Sequence, residues 1–165
     1  MVPVVPLGQL YGGKICAALH RQHPRDLFDV KYLLENEGFT EEVRKGFIFC
    51  LLGSDRPIHE VILPNLQDQS SAFIKQFDGM TNQNFSYDDY EETRGKLIQT
   101  IHQHLTDKDK DFLLSVKTIS PDWTIYDFQA FPSVKWKLQN LKLFKEKNPK
   151  KHAELCSMLE KKLGR

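Results

Sequence analysis

Five charged side chains recur within an otherwise apolar helical stretch near the start of this 165-residue sequence. Lys14 and Arg21 are seven residues apart and therefore share one face of a helix. On the next predicted helix, Arg25 and Asp29 are spaced i, i+4, and Asp26 and Asp29 are spaced i, i+3. A lysine suits a triphosphate oxygen, and carboxylates suit Mg²⁺ or can orient that lysine. The spacing therefore indicates a phosphate and metal site.

The two helices are joined at the dipeptide His23-Pro24. The residue before a proline avoids the α region, and Pro24 can open the next helix, so the chain is expected to turn back here. Such a corner would bring the cationic face to the acidic one. The alternative is an ordinary surface pair between Arg25 and Asp29, worth a few tenths of a kcal/mol, beside a solvated Lys14. Spacing alone leaves both interpretations open.

Helical periodicity with few strand signals predicts a mainly α fold, a compact bundle of seven or eight helices in a single helical domain over residues 1–165. Residues 2–7 could form only a short extended segment. Residues 54–65 are predicted to be a connecting loop that packs through Ile58, Val61, Ile62 and Leu63, and residues 123–131 an irregular aromatic segment. The predicted helices span residues 8–22, 24–36, 41–53, 66–77, 88–105, 107–115, 133–144 and 149–163.

Composition excludes several classes of protein. A hydrophobic share of 40% can fill one core, and a net charge of +1 gives no whole-chain field for nucleic acid or membrane. Cys16, Cys50 and Cys156 lie far apart without a CxxC pair, which favours a reduced, cytoplasmic compartment. No apolar run approaches the roughly 18 residues that span a bilayer, so no membrane association is expected.

The C-terminal part of the sequence is basic. From Lys135 to the end, ten Lys and Arg residues stand against three Glu, a local net charge of +7. Lys135, Lys137, Lys142 and Lys145 interleave with apolar residues such as Trp136, a pattern that predicts a cationic face able to contact RNA phosphates. The alternative is an amphipathic packing helix with solvated lysines.

One stretch resembles the AbiEii family of bacterial abortive-infection toxins, which are nucleotidyltransferase-like proteins of toxin–antitoxin systems. The similarity lies in Tyr11-Gly-Gly-Lys14-Ile-Cys-Ala-Ala-Leu, Arg21 and Arg25-Asp26-Leu-Phe-Asp29-Val, and extends less specifically through residues 131–141 and the helix after Asn148-Pro149. The resemblance implies that Lys14 and Asp29 are active-site residues and that Arg21, Arg25 and Asp26 support the site. It also implies Mg²⁺ and an NTP for the full-length family, nucleotidyl transfer to tRNA, a cognate antitoxin and a role in phage defence.

The sequence departs from the family pattern in one respect. Family members carry an upstream α/β core with a Gly-Gly-Ser/Thr turn for phosphates and an Asp-x-Asp-type pair for metals. Here Gly53-Ser54-Asp55 lacks the second glycine, and Asp88-Asp89 precedes a helix with no Gly-rich partner. We therefore expect the C-terminal helical region of such a toxin, catalytically incomplete alone, with no bound cofactor and no complete metal site. The missing half would leave an apolar seam around Leu10, Ile15 and Phe28, open to self-association.

Two further classes of function remain open at this stage. The chain could be a non-catalytic helical module that binds nucleic acid or a cognate antitoxin, or a scaffold domain without a site. Zinc binding is not expected, because His152 and Cys156 at i, i+4 supply only two ligands.

Overall fold

The computed structural model describes residues 7–77 and 85–165, and these ranges contain nine helices and no strand, which confirms the mainly α fold class. Of the predicted N-terminal extended segment, residues 2–6 lie outside the described residues, and Leu7 already begins the first helix. The helices are α1 (Leu7–Arg21), α2 (Pro24–Asn36), α3 (Glu41–Gly53), α4 (Ile58–Ile62), α5 (Ser70–Ala72, continued by a π-helical turn over Phe73–Phe77), α6 (Tyr87–His104), α7 (Asp107–Lys117), α8 (Pro132–Lys147) and α9 (Pro149–Lys162).

Local signals set most helix ends. Pro24 occupies the first turn of α2, as predicted, and Thr40 caps α3 through its hydroxyl. Gly38 follows α2 with φ of 74°, a conformation that glycine adopts without steric cost. Ser86 and Thr106 each form a capping box with an aspartate three residues later, which satisfies amide groups at the starts of α6 and α7.

Most helix ends lie within three residues of the predictions, and two segments differ more. The predicted loop over residues 54–65 contains helix α4. This helix forms because one turn of it buries the apolar side chains of Ile58, Val61 and Ile62, whereas the Leu63 side chain after it is exposed. The helix predicted from Leu66 begins only at Ser70, whose amide donates to the Asp68 carboxylate. Leu66 itself is exposed, so no apolar contact draws it into a helix.

The tightest contact in the fold joins α1 to α3 through glycines. A Cβ placed on Gly46 would lie 2.0 Å from the carbonyl oxygen of Gly8, and one on Gly12 would lie 2.2 Å from the amide nitrogen of Phe47. The two backbones therefore touch where any side chain would intervene. The same buried face of α1 carries Ile15, which is fully enclosed.

The remaining helices surround this pair. Helix α2 packs on α1 and α6, α8 contacts α3 and α9, and α4 and α7 both contact α9. The irregular segment before α8 is aromatic, as predicted, and its Phe128 and Phe131 rings lie 5.2 and 4.8 Å from the ring of Phe49. No helix in the described ranges has the length and apolar character needed to cross a membrane.

The predicted apolar seam is only partly present. Leu10 is 47% exposed and Leu7 beside it is also exposed, but Phe28 is half-buried and Ile15 lies in the core. Ile15 was wrongly assigned to the seam because it lies on the face of α1 that carries the buried Leu19, one turn further on. Self-association stays a prediction, with Leu7 and Leu10 as its exposed apolar residues.

The glycine contact predicts a position-specific effect of alanine. Gly46→Ala should lower the free energy of unfolding by about 1–3 kcal/mol or more, because the added methyl meets backbone atoms of α1. Gly95→Ala, at an exposed position of α6 with no neighbouring atom within 4 Å of a built Cβ, should raise it by about 0.5–1 kcal/mol. Urea unfolding followed by circular dichroism measures both, and equal effects would contradict the close packing.

Candidate functional site

Lys14 and Asp29 line one open cavity of about 290 Å³ between α1 and α2. Both side chains are exposed, so each can reach a ligand that enters the cavity. Neither forms an ion pair within 4.0 Å with another residue in the part of the chain that the structure describes. The remaining lining residues are aromatic, apolar or polar: Tyr11, Tyr32, Leu33, Asn36 and Glu37.

Helical periodicity places these residues on facing surfaces. On α1, Tyr11 and Lys14 are three residues apart, and on α2, Asp29, Tyr32 and Asn36 occupy successive turns. The first half of α1 thus faces the second half of α2, as the corner at Pro24 predicts. Cation, carboxylate and phenol groups meet there although 15 residues separate Lys14 from Asp29 in sequence.

The corner between the helices is held by a buried hydrogen-bond cluster around Gln22. Gln22 has φ of 54°, a left-handed conformation that is uncommon for a residue with a side chain. Its backbone carbonyl accepts a hydrogen bond from the Tyr90 hydroxyl, and its Oε1 accepts one from Arg94 Nη1 at 2.9 Å. Its Nε2 donates to the Asn65 carbonyl at 2.8 Å, and its Oε1 also accepts from the Gln67 amide at 3.0 Å. Both polar atoms of the Gln22 side chain are therefore hydrogen-bonded.

Arg94 and Tyr90 lie one turn apart on α6 and support each other. Arg94 Nη1 also donates to the Gln67 carbonyl at 2.7 Å, and the guanidinium lies 5.0 Å from the centre of the Tyr90 ring. Burial raises the pKa of Tyr90 to about 12, so its hydroxyl keeps the proton that it donates to Gln22. The pair connects α6 to the α1–α2 corner and to the loop before α5.

The supporting residues proposed from the sequence lie outside the cavity. Arg21 Nη2 approaches the Asp26 carboxylate at 3.1 Å and so forms an ion pair across the corner. Arg25 is exposed on α2, and within the described ranges it makes no ion pair with Asp29. The observed pair thus joins the two helices, whereas the i, i+4 pair within α2 is absent.

The four lysines of the predicted nucleic-acid face divide into two groups. Lys135, Lys142 and Lys145 are exposed on α8. Lys137 is only 8% exposed, and its Nζ donates to the carbonyls of Ser54 at 2.7 Å and Arg56 at 3.0 Å. Lys137 was therefore misplaced on the cationic face, because it points into the protein, where it ties α8 to the segment after α3.

The cavity contains two carboxylates, Asp29 and Glu37. No group of three or more His, Cys, Asp or Glu side chains that could hold a metal ion occurs among the described residues. The residues of this cavity therefore do not by themselves fit the several carboxylates that surround a pair of catalytic metal ions. The three cysteines are free thiols, and burial raises the pKa of Cys16 to about 12, which keeps that thiol protonated.

Comparison with known families gives a match to the model described as Nucleotidyl transferase AbiEii toxin, Type IV TA system, over residues 1–140. The chain belongs to the AbiEii family. No protein of curated function and no solved structure matches it. The matched range contains the whole Lys14–Asp29 cavity and the first part of α8, whereas α9 lies beyond it.

The residues that orient this AbiEii cavity were not predicted from the sequence. Gln22, Tyr90 and Arg94 have no motif spacing, because 72 residues separate Gln22 from Arg94. A faint signal was present, since Tyr90 and Arg94 at i, i+4 place an arginine on the apolar face of α6. Asp107-Lys-Asp109 has the Asp-x-Asp spacing, but neither aspartate lines the cavity. Asp109 is buried with its Oδ2 3.0 Å from Arg44 Nε, and it takes part in the cap of α7.

The corner cluster predicts a large stability effect for Arg94. Arg94→Met should lower the free energy of unfolding of this AbiEii chain by about 3 kcal/mol, because the buried Gln22 oxygen and the partly buried Gln67 carbonyl each lose a charged donor. Lys96→Met, which removes an exposed ion pair with Glu92 on the same helix, should change it by no more than about 0.5 kcal/mol. Chemical denaturation measures the free energy of unfolding of both variants. If Arg94→Met leaves this free energy unchanged, the cluster does not hold the corner.

Proposed function

We propose that this chain supplies Lys14 and Asp29 to the active site of an AbiEii-type toxin that transfers a nucleotidyl group from an NTP to tRNA. The observation that carries the proposal is that these two side chains, carried by different helices, line the same open cavity. Membership of a type IV toxin–antitoxin family implies an antitoxin partner. Phage defence and a cytoplasmic location are part of the same proposal.

Lys14 binds phosphate oxygens of the NTP in this proposal. Its ammonium group has no carboxylate partner within 4.0 Å among the described residues, so no existing ion pair must break when a phosphate enters. A lysine acts as a compact point charge toward a triphosphate and attracts charge that develops during transfer. Its exposed position lets the nucleotide enter and leave.

Asp29 orients the acceptor hydroxyl. A carboxylate is an acceptor only, so it can take a hydrogen bond from the attacking group and receive its proton. The Tyr11 and Tyr32 rings offer apolar surface for a base or sugar, and Asn36 offers both a donor and an acceptor. At about 290 Å³ the cavity accommodates a group of mononucleotide size rather than an NTP together with its acceptor.

The remaining parts of the reaction are assigned to other residues of the toxin. Transfer with paired metal ions requires several carboxylates, and the cavity offers Asp29 and Glu37 alone. We therefore infer that the Gly-rich phosphate turn and the metal-binding carboxylates come from the α/β half of the catalytic unit. No step of the proposal depends on a metal held by the present residues.

The exposed lysines of α8 are the proposed contact with tRNA. Lys135, Lys142 and Lys145 lie in the part of the sequence with a local net charge of +7, which attracts a phosphate backbone. The same face supports the second candidate function, a non-catalytic module that binds nucleic acid or the antitoxin. The first function requires the Lys14 and Asp29 side chains for nucleotidyl transfer, whereas the second does not.

Substitution of the two cavity residues tests the proposal. In the complete toxin, Lys14→Met and Asp29→Asn should each lower transfer of radiolabelled nucleotide to tRNA by about 10²-fold or more. Both side chains are exposed, so the free energy of unfolding should change by no more than about 0.5 kcal/mol. Lys96→Met and Glu35→Gln, exposed charge changes outside the cavity, should retain full activity.

The present chain by itself should give no transfer with Mg²⁺ and any NTP. Robust labelling of tRNA by the pure chain would contradict the proposed division of the site. Full activity of both cavity variants would instead favour the non-catalytic module.

Self-association through Leu7 and Leu10 is a separate expectation. The hydrodynamic radius measured by light scattering should rise with protein concentration, because these exposed apolar side chains are buried on contact. Leu10→Gln should reduce the rise. A monodisperse monomer at millimolar concentration would show that α1 needs no partner.

A further inference from the structure

A second cavity, of about 310 Å³, lies where the segment between α3 and α4 meets α8 and α9. It shares no residue with the Lys14–Asp29 cavity. Its polar lining includes Lys117, Lys137, Ser133 and Asn140, and its apolar lining includes Trp136 and Phe144. Two buried lysines in one small cavity are unusual, because a charged ammonium is costly to remove from water.

Lys137 is held in place by two backbone carbonyls. Its Nζ donates to Ser54 and Arg56, so one of its three N–H groups remains available. Burial, together with repulsion from Lys117, lowers the pKa of Lys137 to about 8. The lysine is therefore fixed in position and its charged form lacks an anionic partner.

Lys117 is even more enclosed and has no partner for its charge. Its side chain is only 3% exposed, and no hydrogen bond or ion pair joins its ammonium to another residue of the described ranges. Burial lowers the pKa of Lys117, while the charges of Cys156 and Glu60 act in the opposite direction. The Lys117 Nζ is not one of the fully buried unpartnered polar atoms, so it reaches accessible space, and an enclosed ammonium of this kind is stabilised most directly by an anion.

The carboxylates nearby do not neutralise this pair. Asp55 also lines the cavity and raises the pKa of Lys137, but it is exposed and forms no ion pair with either lysine among the described contacts. Arg56, a further cation, lines the cavity too. The cavity therefore carries an excess of positive charge.

An aromatic wall adjoins the two lysines. Trp136 is 60% exposed, a high value for so large an apolar side chain, and Phe144 is half-buried on the same helix. An exposed indole beside cations suits a ligand with both a planar ring and a phosphate. A volume of about 310 Å³ lies at the lower end of small-molecule cavities, about 300–1,000 Å³, and corresponds to a ligand of mononucleotide size.

We propose that this cavity is a binding site for a nucleoside phosphate, with the phosphate between Lys117 and Lys137 and the base against Trp136. A free nucleotide or the terminal nucleotide of an RNA strand presents this chemistry. The site does not depend on the proposed transfer reaction at Lys14 and Asp29.

Isothermal titration calorimetry of the full chain with AMP tests the site. Wild-type protein should bind AMP, and Lys117→Met should weaken that binding by about tenfold or more, because a charged hydrogen bond is lost. Trp136→Ala should weaken AMP binding but leave the binding of inorganic phosphate unchanged. Lys96→Met, on a distant exposed surface of α6, should bind AMP like the wild type.

Two comparisons complete the test. Lys117→Met replaces a buried cation with an apolar side chain of similar length. The midpoint temperature of thermal unfolding of this variant should therefore equal or exceed that of the wild type. If a 5′-phosphorylated RNA oligonucleotide binds more tightly than AMP, the ligand is the end of an RNA strand. If the oligonucleotide binds more weakly than AMP, the ligand is a free nucleotide. Absence of AMP and oligonucleotide binding, or binding unchanged in both cavity variants, would overturn the proposal.

Discussion

The buried hydrogen-bond cluster at Gln22 is the constraint on which the geometry of this protein depends. Gln22 takes a left-handed conformation, which costs on the order of 1 kcal/mol for a residue with a side chain, and bonds from Tyr90 and Arg94 offset that cost. Because the chain reverses at this residue, the cluster determines how α2 lies against α1. It therefore determines whether Lys14 and Asp29 share a cavity.

The glycine contact between α1 and α3 supplies the second constraint. Backbone contact at Gly8, Gly12 and Gly46 leaves α1 little freedom to rotate about its axis, so Ile15 faces inward and the adjacent Lys14 faces solvent. One rigid helix thus carries both a core face and the face that lines the Lys14–Asp29 cavity. The Tyr90–Arg94 pair holds the corner that places α2 beside that second face.

Lysines occupy two physical environments here, and the difference bears on function. Lys14 is exposed and has no ion pair among the described residues, so a ligand that reaches it displaces no carboxylate. Lys117 and Lys137 are enclosed, so their charges are costly until an anion is present. The two proposed sites, one at Lys14 and one at Lys117 and Lys137, lie in cavities that share no lining residue.

Sequence by itself determined the helical class, the helix ends at Thr40, Pro24 and Gly38, the family resemblance, and the placement of Lys14 and Asp29 on two adjoining helices. The structural features among these follow from residues within a few turns of each other, where periodicity and capping act directly. Only the tertiary structure decided that Ile15 and Lys137 are buried, that residues 58–62 form a helix, and that Gln22 meets Arg94. The physical reason is that burial and buried hydrogen bonds depend on partners distant in sequence, which local spacing does not encode.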